Sequence, residues 1–257
     1  MLVVRNMWND MDCNAWNDMS SQYDNNVERN PDPVISGYDS EEIKIASDFC
    51  RKIMRPDTNY TIIDMGSGTG RVLFSLQKIL GDSVSYCGLD VSESMIRISK
   101  NKQLEMNAKN ISFLKYDTTN PAINDLFDGD DSVKIVTCMY NTVGVIDATL
   151  RRRFFDNMDR LAGKDGLVLV SAFNGDDFVF AAPRMYLPMK EMVQQIDEDS
   201  FDEEKLAFRN SLGYYSQWFT QNQMLELMHS DVKPVPINVI FNENMHTFGN
   251  IFSNRAI

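Results

Sequence analysis

The feature that most constrains this chain is a glycine-rich turn between a strand pattern and a helix pattern. An apolar stretch at residues 61–65 precedes the turn at residues 66–70, and an apolar helical stretch at residues 72–80 follows it. Glycines let a backbone turn sharply and approach a ligand closely. The free N–H groups at a helix N-terminus favour an anion. The segment therefore predicts a strand–turn–helix unit that holds a pyrophosphate or an amino-acid carboxylate.

Strand and helix patterns continue to alternate after this unit. Strands are predicted at residues 84–89, 111–116, 133–139 and 166–172, helices at residues 92–107 and 148–161, and a polar loop at residues 120–131. An earlier helix is predicted at residues 40–54, with Ser40 as its N-cap. This alternation predicts an α/β fold with a parallel sheet and helices on both of its faces.

The alternation stops at residues 174–212, which carry acidic runs, two prolines and a methionine-rich patch. It resumes with a helix pattern at residues 220–229 and strand patterns at residues 235–241 and 246–252. We therefore predict an N-terminal lid segment at residues 1–38, a core at residues 39–173, a cap insertion at residues 174–212, and the C-terminal part of the core at residues 213–257.

Composition and charge disfavour several classes of function. The net charge of −12 repels phosphate backbones, so a nucleic-acid partner is not expected. No apolar run reaches the length of a membrane span, about 18 residues. Four scattered cysteines without a C-x-x-C pair, together with two histidines, do not predict a metal site. A cytoplasmic location is the resulting expectation.

The residues of the turn itself discriminate between ligands. Asp64 ends the first strand, where its carboxylate would repel a pyrophosphate but could accept a hydrogen bond from the ammonium of an amino-acid ligand. The glycine spacing is G-x-G-x-G, whereas dinucleotide-binding turns have G-x-G-x-x-G. Both features favour a ligand with an amino-acid end over a nicotinamide dinucleotide.

Polar residues also follow the next three strands. Asp90 ends the second strand, where a carboxylate can accept both hydroxyls of a ribose. Met95 lies one turn into the following helix, either near an adenine or in the core. Asp117 follows the third strand and could bind the adenine amine or cap a turn. Asn141 follows the fourth strand and could contact the methionyl part of a cofactor or the substrate.

Together these motifs resemble class I S-adenosylmethionine-dependent methyltransferases. The resemblance rests on D-x-G-x-G-T-G-R at residues 64–71, G-x-D-x-S-x-x-M at residues 88–95, and the strand-end Asp117 and Asn141. The likeness is greatest to the small-molecule branch, which includes glycine and sarcosine N-methyltransferases, and it covers about residues 39–173. It implies a Rossmann-like, mostly parallel sheet of seven strands with the last strand antiparallel, and a small cap.

The resemblance also implies S-adenosyl-L-methionine as cofactor and S-adenosyl-L-homocysteine as product. In the family, residues near the glycine turn hold the amino-acid end, those after the third strand contact the adenine, and those after the fourth strand face the sulfonium. The predicted cofactor-binding residues are Tyr23, Asp64, Gly66, Ser67, Gly68, Gly70, Arg71, Asp90, Val91, Met95, Asp117, Thr118, Tyr140 and Asn141. Ser67 stands where many relatives have Cys or Ala.

The acceptor pocket is expected to come from segments outside the sheet. Trp16 and Tyr23 lie in a stretch that resembles the opening segment of small-molecule methyltransferases, where a tyrosine closes over the cofactor; alternatively, they pack a helix into the body. Tyr214, Tyr215 and Trp218 could form an aromatic face for a cationic amine, or could pack the cap on the sheet. The predicted substrate-binding residues are Trp16, Tyr214, Tyr215 and Trp218; no catalytic base is assigned.

Three functions remain open from the sequence. The first is methyl transfer from S-adenosylmethionine to an N or O atom of a small-molecule acceptor by in-line displacement. The second is a non-catalytic relative that binds the cofactor as a scaffold or regulator, and the third is an NAD(P)-dependent oxidoreductase. The expected partners are the small-molecule acceptor and, at most, a second copy of the chain in a homodimer.

Overall fold

Helices and strands alternate through most of the computed structural model, which describes residues 7–256, with side chains from residue 15 onward. The elements are α1 (Met7–Asn26), α2 (Pro33–Ile53), β1 (Tyr60–Met65), α3 (Arg71–Leu80), β2 (Ser85–Asp90), α4 (Glu93–Glu105), β3 (Ile111–Lys115), β4 (Val133–Cys138), α5 (Thr142–Val145), α6 (Arg151–Ala162), β5 (Leu167–Phe173), α7 (Phe178–Tyr186), α8 (Lys190–Val193), β6 (Phe201–Asp202), β7 (Ala207–Arg209), β8 (Tyr215–Gln217), α9 (Gln221–Met228), β9 (Val235–Phe241) and β10 (Asn244–Ser253).

Seven strands form one sheet in the order β3-β2-β1-β4-β5-β10-β9. Strands β1 to β5 pair in parallel, and β10 pairs antiparallel with both β5 and β9. The predicted Rossmann-like, mostly parallel sheet with an antiparallel last strand is therefore confirmed. The strand order reverses between β1 and β4. In open α/β sheets this reversal forms a ligand-binding crevice at the carboxyl ends of the strands.

The core lies on both faces of this sheet. Every residue of β1 and of β5 is buried, as expected for parallel strands that are covered on both sides. Successive side chains of a strand point to opposite faces. Accordingly, Ile62 packs in the core cluster that includes α2 and α3, whereas Ile63 packs in the cluster that includes α6 and α9.

The start of α2 differs from the prediction. The helix begins at Pro33, where the missing N–H removes no helical hydrogen bond. Its N-cap is Asp32, whose side chain accepts from two backbone N–H groups of the first turn. The predicted N-cap role of Ser40 was wrong, because its hydroxyl donates to the Ser36 carbonyl oxygen within the helix at 2.8 Å.

Two short helical elements were not predicted. The polar loop at residues 120–131 contains a 3₁₀ helix, Ile123–Phe127, anchored by the fully buried Ile123. The four-residue α5 directly follows Asn141, and α6 begins at Arg151 rather than at residue 148. Segments this short hold too few residues to display a helical period in the sequence.

The segment after β5 builds α7, α8 and a small antiparallel sheet in the order β6-β7-β8. The third strand of this sheet lies beyond residue 212, the predicted end of the cap insertion. The proposed division of the chain at residues 38, 173 and 212 stays a prediction. In the described part of the chain, no helix combines the length and apolar character needed to cross a membrane.

Candidate functional site

The turn after β1 depends on glycine for two different reasons. Gly66 has a φ angle of +85° and Gly68 one of +53°, in a region that L side chains rarely adopt. A Cβ on Gly66 would lie 2.3 Å from Cγ2 of Thr142, whereas a Cβ on Gly68 would meet nothing within 4 Å. Gly66 therefore allows close packing, and Gly68 leaves space that a ligand can enter.

Asp90 ties this turn to the end of β2. Its carboxylate accepts the Gly68 N–H at 2.8 Å and the Ser92 N–H at 2.8 Å. Ser92 is the N-cap of α4, as predicted, and accepts from the Met95 N–H. Burial raises the pKa of the Asp90 carboxyl, and the hydrogen bonds from Ser92 and Gly68 limit that rise. The turn and the carboxylate are thus held in one fixed arrangement.

A cavity of about 1290 Å³, counting its open mouth, lies beside the turn. The residues that line it form a polar side and an aromatic side. Its polar side consists of Gly66, Gly68, Asp90, Val91, Met95, Asp117, Thr118 and Thr119. Its aromatic side consists of Trp16, Tyr23, Tyr140, Phe173, Tyr186, Met189, Met192, Tyr214 and Ser216. The other lining residues are Val27, Asn141, Thr142, Val145, Ile146, Asp147 and Leu150.

Most of the predicted cofactor-binding residues line this cavity. Those that do not are Asp64, Ser67, Gly70 and Arg71. Gly70 is required by packing, since a Cβ there would lie 2.6 Å from the Phe113 ring. Ser67 is buried, and its hydroxyl has no hydrogen-bond partner among the described residues.

Asp64 lies behind the turn and is 1% exposed. Its carboxylate accepts a hydrogen bond from the Thr137 hydroxyl at 2.7 Å. Burial raises the pKa of Asp64 to about 7, although the Thr137 hydrogen bond and the positive charge of Arg71 lower it. Asp64 is therefore poised to change charge near neutral pH, next to the glycine turn.

Arg71 belongs to a buried ion cluster. Its guanidinium pairs with Asp39 and, at 2.8 Å, with Glu42, and it lies 4.8 Å from the centre of the Tyr140 ring. The fully buried Glu42 also accepts the Tyr140 N–H at 2.8 Å. This geometry corrects the predicted direct cofactor contact of Arg71, because its guanidinium faces α2 and so positions Tyr140.

Tyr140 and Asn141 both have positive φ angles, +54° and +58°. The side chain of Asn141 donates to the Ser216 hydroxyl at 3.0 Å and to the Gln217 carbonyl at 2.9 Å, and it accepts from the Phe173 N–H at 3.0 Å. Asn141 therefore joins the ends of β4 and β5 to β8, while it also lines the cavity.

Met95 and Asp117 combine the alternatives that the sequence left open. Met95 is 2% exposed and lines the cavity, so it is both a core residue and a wall residue. Asp117 accepts from the N–H of Thr119 at 2.9 Å and from its hydroxyl at 2.7 Å. It therefore caps its own turn and still lines the cavity.

The aromatic side is assembled from distant parts of the chain. Trp16 makes edge contacts with Tyr23 and Tyr214, with ring centres 6.2 Å and 5.6 Å away. Tyr186 stacks on Phe208 at 3.9 Å. The two expectations for Trp16 and Tyr23, a helix packed on the body and a wall of the pocket, are thus compatible in the structure.

Polar contacts hold α1 over the cavity. The Asn17 side chain accepts from the Ser92 hydroxyl at 2.7 Å. The Asp24 carboxylate accepts from the Thr69 hydroxyl at 2.6 Å and pairs with Lys102 at 2.7 Å. These contacts fasten α1 to the glycine turn and to the start and end of α4.

Two predicted substrate-binding residues do not reach the cavity. Trp218 is fully buried, packs on Phe178 at 5.4 Å and donates from Nε1 to the Tyr186 hydroxyl at 3.1 Å. Tyr215 is 40% exposed and does not line the cavity. The predicted substrate contacts are corrected for both: Trp218 is a core residue, as the packing alternative had it, and Tyr215 points away from the site.

Sequence reasoning missed Glu42, Phe173, Tyr186 and Ser216. Glu42 interrupts the buried face of a helix, and a buried carboxylate is rare unless it is paired; this was the signal that could have singled it out. The others lie far apart in the chain and carry no motif. No group of three or more His, Cys, Asp or Glu side chains that could hold a metal occurs among the described residues.

A family model described as a methyltransferase domain matches residues 56–241. Because the match covers most of the chain, this protein belongs to that methyltransferase family. The resemblance to methyltransferases is thus confirmed, whereas the special likeness to glycine and sarcosine N-methyltransferases stays a prediction.

Individual relatives agree with this family. The chain is 43% identical over 58 residues to a demethylmenaquinone methyltransferase of Lactococcus lactis subsp. lactis (strain IL1403), a match that spans 23% of each protein. A solved S-adenosylmethionine-dependent methyltransferase from Anabaena variabilis ATCC 29413 is 15% identical, with a TM-score of 0.59 and coverage of 95% of both chains. The magnesium protoporphyrin IX methyltransferase of Synechocystis PCC 6803, solved with bound SAH, is 12% identical, with a TM-score of 0.54 over 86% of this chain and 84% of that one. At these identities the solved structures show a shared fold.

Proposed function

We propose that this protein transfers a methyl group from S-adenosylmethionine to an N or O atom of a small-molecule acceptor by in-line displacement. The observation that carries the proposal is a single cavity in which the glycine turn, Asp90 and Asp117 converge opposite an aromatic wall. Two of the similar proteins are named for methylation of small molecules, demethylmenaquinone and magnesium protoporphyrin IX, and this supports a small-molecule acceptor.

The polar side fits the proposed cofactor. Open space at Gly68 lets a ligand approach the backbone, and the Asp90 carboxylate can accept from ribose hydroxyls with its remaining lone pairs. Asp117 and Thr118 would contact the adenine, and Gly66 would contact the amino-acid end. When bound, S-adenosylmethionine supplies a methyl group that is activated by the positive charge on sulfur.

The residues of this chain would then contribute alignment and exclusion of water. Met189 and Met192 are buried apolar walls of the cavity, and Trp16 and Tyr23 of α1 form part of its lining. Burial raises the pKa values of the Tyr140 and Tyr186 hydroxyls well above the ordinary value. These tyrosines stay protonated and serve as hydrogen-bond donors, so we assign no general base. We also propose that the protein is cytoplasmic, that it is divided into a lid, a core and a cap, and that it is a monomer or a homodimer.

The first test is calorimetric titration with S-adenosylhomocysteine of the wild type, Asp90→Ala and Asp48→Ala. Asp48 provides the same substitution on the exposed surface of α2, outside the cavity. Micromolar binding to wild type and Asp48→Ala is expected, with at least about 100-fold weaker binding to Asp90→Ala, because two charge-assisted hydrogen bonds of about 1.5–3 kcal/mol each are lost.

Two further measurements separate the alternatives. Equal affinity of all three proteins, or tighter binding of NADH than of S-adenosylhomocysteine, would refute the proposed cofactor. Transfer of labelled methyl groups to a panel of amines, phenols and carboxylic acids then distinguishes an enzyme from a non-catalytic relative, for which binding would occur without transfer.

A further inference from the structure

Two turns with the same hydrogen-bond pattern border the cavity. In the first turn, Asp117 Oδ1 accepts from the N–H and the hydroxyl of Thr119, at 2.9 Å and 2.7 Å. In the second turn, Asp147 Oδ1 accepts from the N–H and the hydroxyl of Thr149, at 2.8 Å and 2.5 Å. Both aspartates line the cavity. Each turn therefore fixes one carboxylate oxygen, while Oδ2 accepts no hydrogen bond from the described residues.

Asp147 is the carboxylate of the lining to which the proposed cofactor assigns no role. Asp90 and Asp117 belong to the polar side, where the ribose and the adenine are proposed to bind. Asp147 lies elsewhere in the chain, two residues after the end of α5. The hydrogen bonds from Thr149 and, next, the positive charge of Arg151 lower the pKa of its carboxyl. Asp147 is therefore an ionised side chain, held in place, with one oxygen available to a ligand.

The nearby Arg151 does not pair with this carboxylate. Its side chain is buried, and its N–H groups donate to carbonyl oxygens at the end of α5 and to the Gln217 side chain. Among the described residues, no ion pair includes Asp147. Asp147 is partly buried, and a carboxylate that is partly removed from water gains most from an opposite charge close by. The positive partner that this carboxylate lacks within the chain can be supplied by a ligand.

The charges around the cavity also favour a positive ligand. Its charged lining residues in the described part of the chain are all aspartates: Asp90, Asp117 and Asp147. The two cations beside the glycine turn, Arg71 and Lys102, each pair with two carboxylates. An anionic acceptor would therefore meet like charges without a free counter-charge, whereas a cationic acceptor would be attracted.

We propose that Asp147 is a specificity-determining residue whose carboxylate binds an ammonium group of the methyl acceptor. This inference rests on the proposed function and names the class of its second ligand. It keeps the cationic amine that the aromatic residues suggested from the sequence, but assigns its recognition to Asp147 instead of Tyr215 and Trp218. Cation–π attraction supports the same class, because six aromatic rings line the cavity: Trp16, Tyr23, Tyr140, Phe173, Tyr186 and Tyr214.

The test compares three probes of similar size and different charge: benzylamine, which is protonated at pH 7, benzyl alcohol and benzoate. Their dissociation constants are measured by ligand-observed NMR on protein saturated with S-adenosylhomocysteine. The proteins are wild type, Asp147→Asn and the control Asp48→Asn, which removes the same charge from the exposed surface of α2. Asp147→Asn keeps Oδ1 for both Thr149 contacts, and the thermal unfolding midpoint and the affinity for S-adenosylhomocysteine establish that each variant is folded and loaded.

We expect wild type and Asp48→Asn to bind benzylamine at least about fivefold more tightly than benzyl alcohol, and benzoate more weakly than either. In Asp147→Asn the preference for benzylamine should fall by about fivefold, the ratio for one partly exposed ion pair, with unchanged affinity for S-adenosylhomocysteine.

The other outcomes overturn the assignment. They are an unchanged preference in Asp147→Asn, no preference for benzylamine in wild type, tighter binding of benzoate, and no binding of any probe. Weaker binding of S-adenosylhomocysteine to Asp147→Asn would place Asp147 in the cofactor site and would also overturn it. Absence of S-adenosylhomocysteine binding to wild type would instead refute the proposed function itself.

Discussion

The polar side of the cavity is formed by residues that are close in sequence, and the aromatic side by residues that are far apart in sequence. On the polar side, Gly68 follows β1 and Asp90 ends the neighbouring β2, and the Gly68 N–H donates to the Asp90 carboxylate at 2.8 Å. On the aromatic side, Trp16 of α1 meets Tyr214, almost two hundred positions later, at a ring distance of 5.6 Å. A local backbone motif therefore forms the polar side, and long-range packing forms the aromatic side.

This difference matches the two tasks that we propose. A cofactor shared by many enzymes can be held by a short, recurring turn, whereas the acceptor differs from one enzyme to another. Asn141 connects the two sides, since it joins β4 and β5 to β8 and lines the cavity. Substitutions in the polar side should therefore change cofactor binding, and substitutions in the aromatic side should change acceptor choice.

The largest effect is expected for Gly66→Ala. The new Cβ would combine a positive φ of +85° with a 2.3 Å approach to Thr142, and strain and overpacking together cost about 3 kcal/mol. Gly129→Ala is the control, because Gly129 has a φ of +81° and a Cβ there would meet nothing within 4 Å. This substitution introduces backbone strain without overpacking and should cost about 1 kcal/mol of stability. Urea unfolding of both variants measures the difference; equal losses would contradict the packing role of Gly66.

Gly68→Ala sharpens the same comparison. Its Cβ would meet no protein atom within 4 Å, so we expect a stability loss of only about 1 kcal/mol. The new Cβ would, however, occupy the space that we assign to the cofactor. The affinity for S-adenosylhomocysteine should therefore fall by at least about tenfold, or 1.4 kcal/mol. Unchanged affinity would mean that the cofactor does not approach the turn at Gly68.

The polar side was the more predictable half for a physical reason. Asp64, Gly66, Gly68 and Asp90 lie at strand ends, and strand ends can be located from local apolar patterns. Local patterns also predicted all seven strands of the large sheet. The start of α2 was misplaced at residue 40; the helix begins at Pro33, because proline fits the first turn of a helix.

Most of the aromatic side could not be predicted by the same means. Tyr186 and Ser216 reach the cavity only because α7 and β8 fold over the sheet, and nothing in their neighbouring residues signals this position. Trp218 and Tyr215 show the converse, since a cluster of aromatic residues in sequence was separated by strand geometry. Glu42 and Arg71 form a buried pair from α2 and α3 that no spacing rule connects.

A separate effect, on the pH dependence of stability, is expected from Asp64. Its folded pKa of about 7, raised by burial, lies above the unfolded value of about 3.9. The folded state thus binds more protons between these values, and the free energy of unfolding falls as pH rises from about 4 to about 7. Asp64→Asn removes this contribution, which at 1.36 kcal/mol per pKa unit changes by about 2.5 kcal/mol over the two pH units from 5 to 7.

The measurement is urea unfolding of wild type and Asp64→Asn at pH values from 5 to 8. The difference between the two proteins isolates Asp64 from other titrating groups, and the variant should gain relative stability as pH rises. Parallel profiles would contradict the buried carboxyl. If the cofactor ammonium lies near Asp64, S-adenosylhomocysteine binding near pH 7 should also release protons from wild type but not from the variant.

The smallest effect tests how α1 joins the two sides. Asp24 pairs with Lys102 at 2.7 Å, with side chains 15% and 17% exposed, and a partly exposed pair of this kind contributes at most about 1 kcal/mol. Asp24→Asn keeps an oxygen for the Thr69 hydroxyl but weakens the ion pair. We expect S-adenosylhomocysteine to dissociate about threefold to fivefold faster in stopped-flow experiments, an acceleration that follows from this energy.

Asp18→Asn, on the exposed face of α1, should leave the rate unchanged, because no ion pair to the core is altered there. Equal rates in wild type and Asp24→Asn would show that α1 does not limit release of the ligand, and the aromatic side would then open by another element.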